Sequence, residues 1–298
     1  MSLLSLGAAL ARANITINPI FDGSITGDAQ AAAIEGVINT AIAQYEANLK
    51  DNISVSIYFF NMTSGLGQSS TYTINVGYQD LRSHFAADAT SGDDTTALAH
   101  LPNQVNDPVT GGNGGVDIAT AQARAMGYNA PEAIDSYVGL NVSLCNLVHT
   151  GGDPTKADLQ AVAEHEIDEA LGGGGTGSNL GYANNPAMLD LFRYDGNGNR
   201  SFNQDPTQHA YFSIDGTNAI DEFNQFGYIG GDYADWIKHT ANPEVQDWRA
   251  TRGSHPDLGP SEWRMLDVSG YDLAVTPEPT SMAALGLGVA ALLRKRRK

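Results

Sequence analysis

Ala161-Val-Ala-Glu-His-Glu-Ile-Asp-Glu-Ala-Leu-Gly172 is the stretch on which the reading of this chain turns. It predicts a helix: Val162, Ile167, Ala170 and Leu171 give one face to a core, and the glycines from Gly172 to Gly175 stop it. Upstream, Asp153-Pro154-Thr155 offers N-cap and first-turn residues. On such a helix His165 and Glu169 lie four residues apart and project from one face, about one turn apart. An imidazole and a carboxylate at that spacing can reach one divalent cation, and Glu166, beside the first, can hold a water at that ion. This is the logic of His-Glu-x-x-His on a helix, with Glu in place of the second His.

The substitution weakens the signal. Acidic helix faces are common, and the plain alternative for His165, Glu166, Asp168 and Glu169 is a solvated surface. The setting favours a site instead. A short helix flanked by alanines on one side and glycines on the other suits a buried element that ends in a cleft.

The 298 residues, 42% hydrophobic, suffice for one large domain or two closely joined lobes. A net charge of -18, from 34 acids against 16 bases, argues against nucleic acid or an anionic membrane surface as partner. It fits an extracellular protein that takes up divalent cations. The single cysteine, Cys145, excludes an internal disulfide framework and any Cys-rich zinc site; its apolar neighbours make it a packed thiol.

Both ends read as processing signals. Residues 3–13 are apolar and end in Ala11-Arg12-Ala13, like the end of a secretory signal peptide cut before Asn14. At the other end, Pro277-Glu278-Pro279 is followed by an apolar segment from Ser281 to Leu293 and the basic run Arg294 to Lys298. The apolar segment is short for a spanning helix, which needs about 20 residues, and the basic cluster orients that end toward the cytoplasm. This three-part tail over 276–298 resembles the PEP-CTERM sorting signal of Gram-negative bacteria that make extracellular polysaccharide. The resemblance implies export, transient anchoring in the inner membrane, and cleavage by an exosortase near Pro-Glu-Pro. It makes the polysaccharide matrix a candidate partner.

Between the ends, Asn14 to Asn18 alternates like a strand, Asp28 to Lys50 has helical spacing, and Ser54 to Phe60 is a buried strand, which together make a βαβ opening. Tyr72 to Asn75 reads as a short strand; Tyr78 to Ala87, Asp93 to Leu101 and Ile118 to Met126 read as helices; Ser136 to Leu144 is a last strand before the metal helix. Asn103 to Gly115 is a loop that could rim a cleft. Asp195-Gly-Asn-Gly-Asn199 starts like a calcium loop, but Arg200 stands where that loop needs Gly, so a tight turn is expected.

Strands and helices leading to one ligand-bearing helix resemble the N-terminal lobe of zincin metalloproteases. The similarity to secreted bacterial zincin-related proteins extends through Gly65-Leu-Gly-Gln-Ser-Ser-Thr71, Asp190-Leu-Phe-Arg-Tyr194, Tyr211 to Gly216 and Leu266 to Tyr271. It implies an α+β, zincin-like domain over 14–275. An N-terminal lobe of about 14–175 would hold a mixed sheet and the site helix, and a smaller irregular lobe would span 176–275. In the metzincin pattern the third ligand falls at Gly175, which has no side chain to offer. In leishmanolysin-like relatives it sits in a Ser-His-Trp stretch, which Ala234-Asp235-Trp236 resembles with Asp in place of His. The resemblance therefore implies Asp235 as third ligand, with His239 and His209 as alternates.

A shell of one histidine and two carboxylates offsets the charge of the ion, so its water should have a pKa above the roughly 7 typical of neutral ligands. Zinc is the expected cofactor, and the hard donors also suit Mn or Ca. The expected activity is that of an exported endopeptidase acting on protein or peptide substrates, with Glu166 as general base and Tyr182 or Tyr194 as candidate oxyanion donors. A non-catalytic surface or matrix protein that keeps the fold, with or without a structural metal, is the principal alternative. Carbohydrate binding is a third class, conditional on exposure of Trp236, Trp248 and Trp263.

Overall fold

The computed structural model describes residues 14–227 and 230–274; the expected signal remnant at 1–13 and the sorting segment at 276–298 lie outside them. In chain order the elements are β1 (Thr16–Phe21), α1 (Gly23–Thr26), α2 (Ala31–Asn48), β2 (Ser54–Asn61), β3 (Gly67–Thr71), β4 (Thr73–Val76), α3 (Tyr78–Asp88) and α4 (Gly92–His100). These are followed by β5 (Val116–Ala119), α5 (Thr120–Ala125), β6 (Ser136–Leu140), β7 (Cys145–Asn146), β8 (Ala157–Asp158) and α6 (Leu159–Ala170). The remainder is sparse: β9 (Arg193–Tyr194), β10 (Tyr211–Phe212), β11 (Asp221–Glu222) and α7 (Pro260–Asp267), joined by long irregular segments.

The fold is α+β, with a four-stranded mixed sheet packed against helices. Strand order is β1-β2-β6-β3, with the first three parallel and β3 antiparallel to β6. The βαβ opening forms as expected: β1 and β2 run parallel, and α2 connects them. Val55, Ile57 and Phe59 alternate along β2 and point inward with Ile17, Val138 and Leu140. They meet Ile34, Ile38, Ile42 and Tyr45 of α2, which recur at helical spacing. Burying each such side chain stabilises the fold by roughly 1.5–3 kcal/mol. Helix α6 sits in the same cluster through Leu159, Val162, Ala163, Ile167 and Ala170, with Leu171 just beyond its end.

A second cluster joins Tyr78, Leu81 and Phe85 of α3 to Ile118, Leu191, Phe192, Phe212, Phe223 and Trp236. Each cluster draws on both sides of residue 175, and α7 contributes to both, with Leu266 in the first and Met265 in the second.

Four local expectations are corrected. Ile118 to Met126 is not all helix, because Val116 and Ile118 alternate inward on β5, which pairs with β4 before α5 begins. The strand expected to run to Leu144 ends at Leu140, where Asn141 turns the chain and its side chain donates to the Gly65 carbonyl at 2.9 Å. Helix α2 starts at Ala31 rather than Asp28, because the Asp28 carboxylate accepts from the Gln30 amide and closes a turn first. The site helix is capped by Asp158, whose Oδ1 accepts from the Gln160 amide at 3.0 Å; Asp153 instead closes the preceding turn onto Thr155. The Asp195 turn forms as expected, with Oδ1 accepting from the amides of Asn197 and Asn199. No helix among the described residues is long and apolar enough to cross a membrane.

Candidate metal centre

Helix α6 is buried on nearly every side, so its polar face looks into a cleft rather than into bulk water. The cleft has a volume of about 640 Å³. One wall is edge strand β3, with Gly67 and Ser69; the floor is α6, with His165, Glu166 and Glu169; the other wall is the segments carrying Asp235 and Trp248.

His165, Glu169 and Asp235 converge here. His165 Nε2 lies 3.6 Å from Glu169 Oε1 and 3.9 Å from Asp235 Oδ1, and the three donor atoms all lie within 4.8 Å of one another. The i,i+4 pair comes from the helix, as the spacing predicts. Asp235 comes from 65 or more residues downstream and is delivered by a loop braced from below. Arg193, fully buried, donates to the Tyr233 carbonyl at 2.6 Å and stacks 4.7 Å over the Phe223 ring. Next to Asp235, Trp236 is fully buried between Phe212 and Phe223, at ring distances of 5.5 and 5.3 Å.

Each donor is oriented by a second group. His165 Nδ1 donates to the Val245 carbonyl at 2.9 Å, which turns Nε2 toward the two carboxylates. Ser69 Oγ donates to Glu169 Oε2 at 2.6 Å, and the Gly175 amide donates to Oε1 at 3.0 Å. Gln246 Nε2 donates to Asp235 Oδ1 at 2.9 Å. Gly175 thus serves the site through its backbone, although it has no side chain to ligate. Sequence reasoning missed Ser69, Val245 and Gln246, and a side-chain motif carries no signal for them.

The electrostatics are those of a site short of positive charge. Burial alone would depress the His165 imidazole, but Asp235, Glu169 and Glu166 outweigh it and hold its pKa well above the usual value. Burial and the neighbouring Glu169 push Glu166 up. Burial likewise raises Asp235, against the pull of His165. Burial would raise Glu169 too, but the hydrogen bonds from His165, Ser69 and Gly175 prevail and lower it. Glu166 Oε2 and Gln246 Oε1 are buried without a hydrogen-bond partner. Tetrahedral bonds of about 2.1 Å set ligand atoms roughly 3.4 Å apart, close to the separations found. One imidazole nitrogen, two carboxylate oxygens and an orphaned glutamate beside them fit a divalent cation of the zinc type.

Of the other expected participants, Tyr182 lies at the cleft and the rest lie elsewhere. His209 is exposed and pairs with Glu222, and His239 pairs with Asp221 and Asp247, so neither joins His165. Tyr182 lines the cleft, with its hydroxyl 3.4 Å from Asp232 Oδ1. Burial and Glu169 push that Asp232 carboxyl up to about 6. Tyr194 packs against Arg200 and does not line the cleft, nor does the loop 103–115. Met265 is core and underlies Gly173 at the end of α6. Cys145 is buried, its thiol pushed up to about 12 mainly by burial, and is inert. Trp236 is core, and Trp248 and Trp263 are both half-buried, Trp263 packed on Tyr45; none of the three is exposed, so the condition set for carbohydrate contact is not met.

Residues 275–298 match the family model of the PEP-CTERM protein-sorting motif. No curated protein and no solved structure matches the chain. The sorting motif implies an exported protein, sorted to the cell surface and processed by an exosortase.

Proposed function

We propose that this exported protein is a metal-dependent endopeptidase of zincin-like design, with one divalent cation, zinc first, held by His165, Glu169 and Asp235. The observation that carries the proposal is the convergence of those three donors beside an unpartnered Glu166 carboxylate oxygen, at the floor of an open cleft. Bound there, the ion would polarise a substrate carbonyl and make a water more acidic. Glu166 is the general base: buried, its carboxyl held above the usual value by burial and Glu169, and unengaged at Oε2. Tyr182 lines the cleft, its hydroxyl beside Asp232, and is the proposed donor to the oxygen that gains charge.

Edge strand β3 supports a peptide substrate. Among the described residues it pairs only with β6, on one side, and Gly67, Gln68 and Ser69 line the cleft. An extended peptide could lie along that edge by strand addition, next to the helix that carries the base.

The second reading is a surface protein that keeps the cation for structure alone. It is favoured by the two carboxylates in the shell, which make the ion a weaker acid. Both readings require the metal, so stoichiometric metal that is lost in Glu169→Ala supports the site. Chelator-sensitive cleavage of casein by the full-length chain then separates enzyme from scaffold.

A further inference from the structure

Asp221, His239 and Glu244 form a separate cluster whose donor atoms also lie within 4.8 Å of one another. His239 Nε2 is 3.4 Å from Asp221 Oδ1, the spacing of two ligands on one tetrahedral ion (roughly 3.4 Å for bonds of about 2.1 Å). The imidazole is aimed from outside the triad. Its Nδ1 donates to Asp247 Oδ1 at 2.7 Å, and Asp247, itself buried, is fixed by the amides of His239 and Glu244. A carboxylate on the far nitrogen is the usual support for a metal-ligating histidine. The Asp221 side chain is only 6% exposed, and its carboxyl is pushed up to about 7, first by burial and next by Glu244.

Acid is in excess here, and only bound protons or a cation can offset it. Three carboxylates, Asp221, Glu244 and Asp247, surround one imidazole, and among the described residues no lysine or arginine forms an ion pair with any of them. Even a protonated His239 leaves an excess of negative charge in a half-buried space.

We infer that Asp221, His239 and Glu244 hold a second, structural divalent cation of the zinc type, with Asp247 orienting the histidine. The consequence is mechanical. The Trp236 amide donates to the Gln246 carbonyl at 2.8 Å and the Trp248 amide to the Trp236 carbonyl at 3.0 Å, so segments 235–239 and 244–248 run bonded side by side. The second ion clamps this pair at His239 and Glu244. On its cleft side the same pair presents Asp235, Val245 and Gln246 to His165. The inference does not depend on catalysis at the first site.

The test uses the full-length chain carrying His165→Ala and Glu169→Ala, stripped by chelator and titrated calorimetrically with zinc chloride. One equivalent should bind and raise the thermal midpoint, and adding Glu244→Gln or Asp221→Asn should weaken it at least tenfold. No zinc uptake in that background, or unchanged affinity after Glu244→Gln, overturns the second site. If far-UV circular dichroism shows the background unfolded, the wild type is compared with Glu244→Gln alone. Two equivalents falling to one is then the expected result, and an unchanged count the contrary one. Failure of the first site would leave the Glu244-dependent equivalent in place.

Discussion

The Ser69 hydroxyl donates to Oε2 of Glu169 at 2.6 Å, so the edge strand of the sheet holds a carboxylate of the candidate metal shell. The same strand thus lines the cleft and orients a proposed ligand. Ser69→Ala should leave that oxygen unsupported and weaken metal affinity about tenfold, at the low end for loss of such support. Ser69→Thr should retain most of it. Zinc titration of the two variants makes the comparison; equal affinity in Ser69→Ala would mean that the bond orients nothing.

Gly67 lies over the proposed base. A Cβ there would fall 2.2 Å from Glu166 Oε1 and 3.0 Å from Val162 Cγ1. The glutamate end can swing aside, so the cost falls on its position more than on the fold. Gly67→Ala should lower kcat tenfold or more while the metal stays bound, with destabilisation of about 1–3 kcal/mol, as for other small-to-large changes in packed sites. Normal turnover would remove Glu166 from the role given to it.

Behind the site, Tyr45 of α2 reaches α6, its hydroxyl 2.7 Å from the Glu164 carbonyl and 3.0 Å from Asp168 Oδ1. Tyr45→Phe leaves those buried acceptors short of a donor and should cost about 1–3 kcal/mol. Denaturant unfolding measures the loss, and a neutral result would show that the two helices are held by apolar packing alone.

What the sequence made legible follows from where each side chain points. The inward residues of β1, α2 and β2 recur at the periods of strand and helix, because one face of each is buried. Strand β3, Gly-Gln-Ser-Ser-Thr, has no such pattern, since an edge strand beside a polar cleft needs apolar residues on neither face. His165 and Glu169 were readable as a pair because the helix itself sets their spacing. Asp235 was reached only by resemblance, since no local period links it to α6; its delivery depends on Arg193 and Trp236 in a long irregular segment. The backbone donor at Gly175 and the Val245 carbonyl were illegible in principle, because every residue carries those groups.

Acid should stabilise the fold relative to alkali. Burial pushes Asp51, Asp88 and Asp267 up to about 7, and neighbouring carboxylates, Asp272 among them, add to the rise. Groups raised in the folded state favour folding fully below their unfolded pKa near 4, and that contribution is lost as pH climbs through about 7. The thermal midpoint should therefore fall between pH 5 and pH 8, and Asp51→Asn should flatten the slope. A midpoint that rises over this range would contradict it.

The most direct measurement is cleavage of casein by the zinc-loaded full-length chain and by Glu166→Gln, with metal content read on both. The account predicts cleavage by the wild type that a chelator stops and zinc restores, and none by Glu166→Gln despite an equal metal load. Equal cleavage by both proteins, or a fully loaded wild type that cleaves nothing, would contradict it.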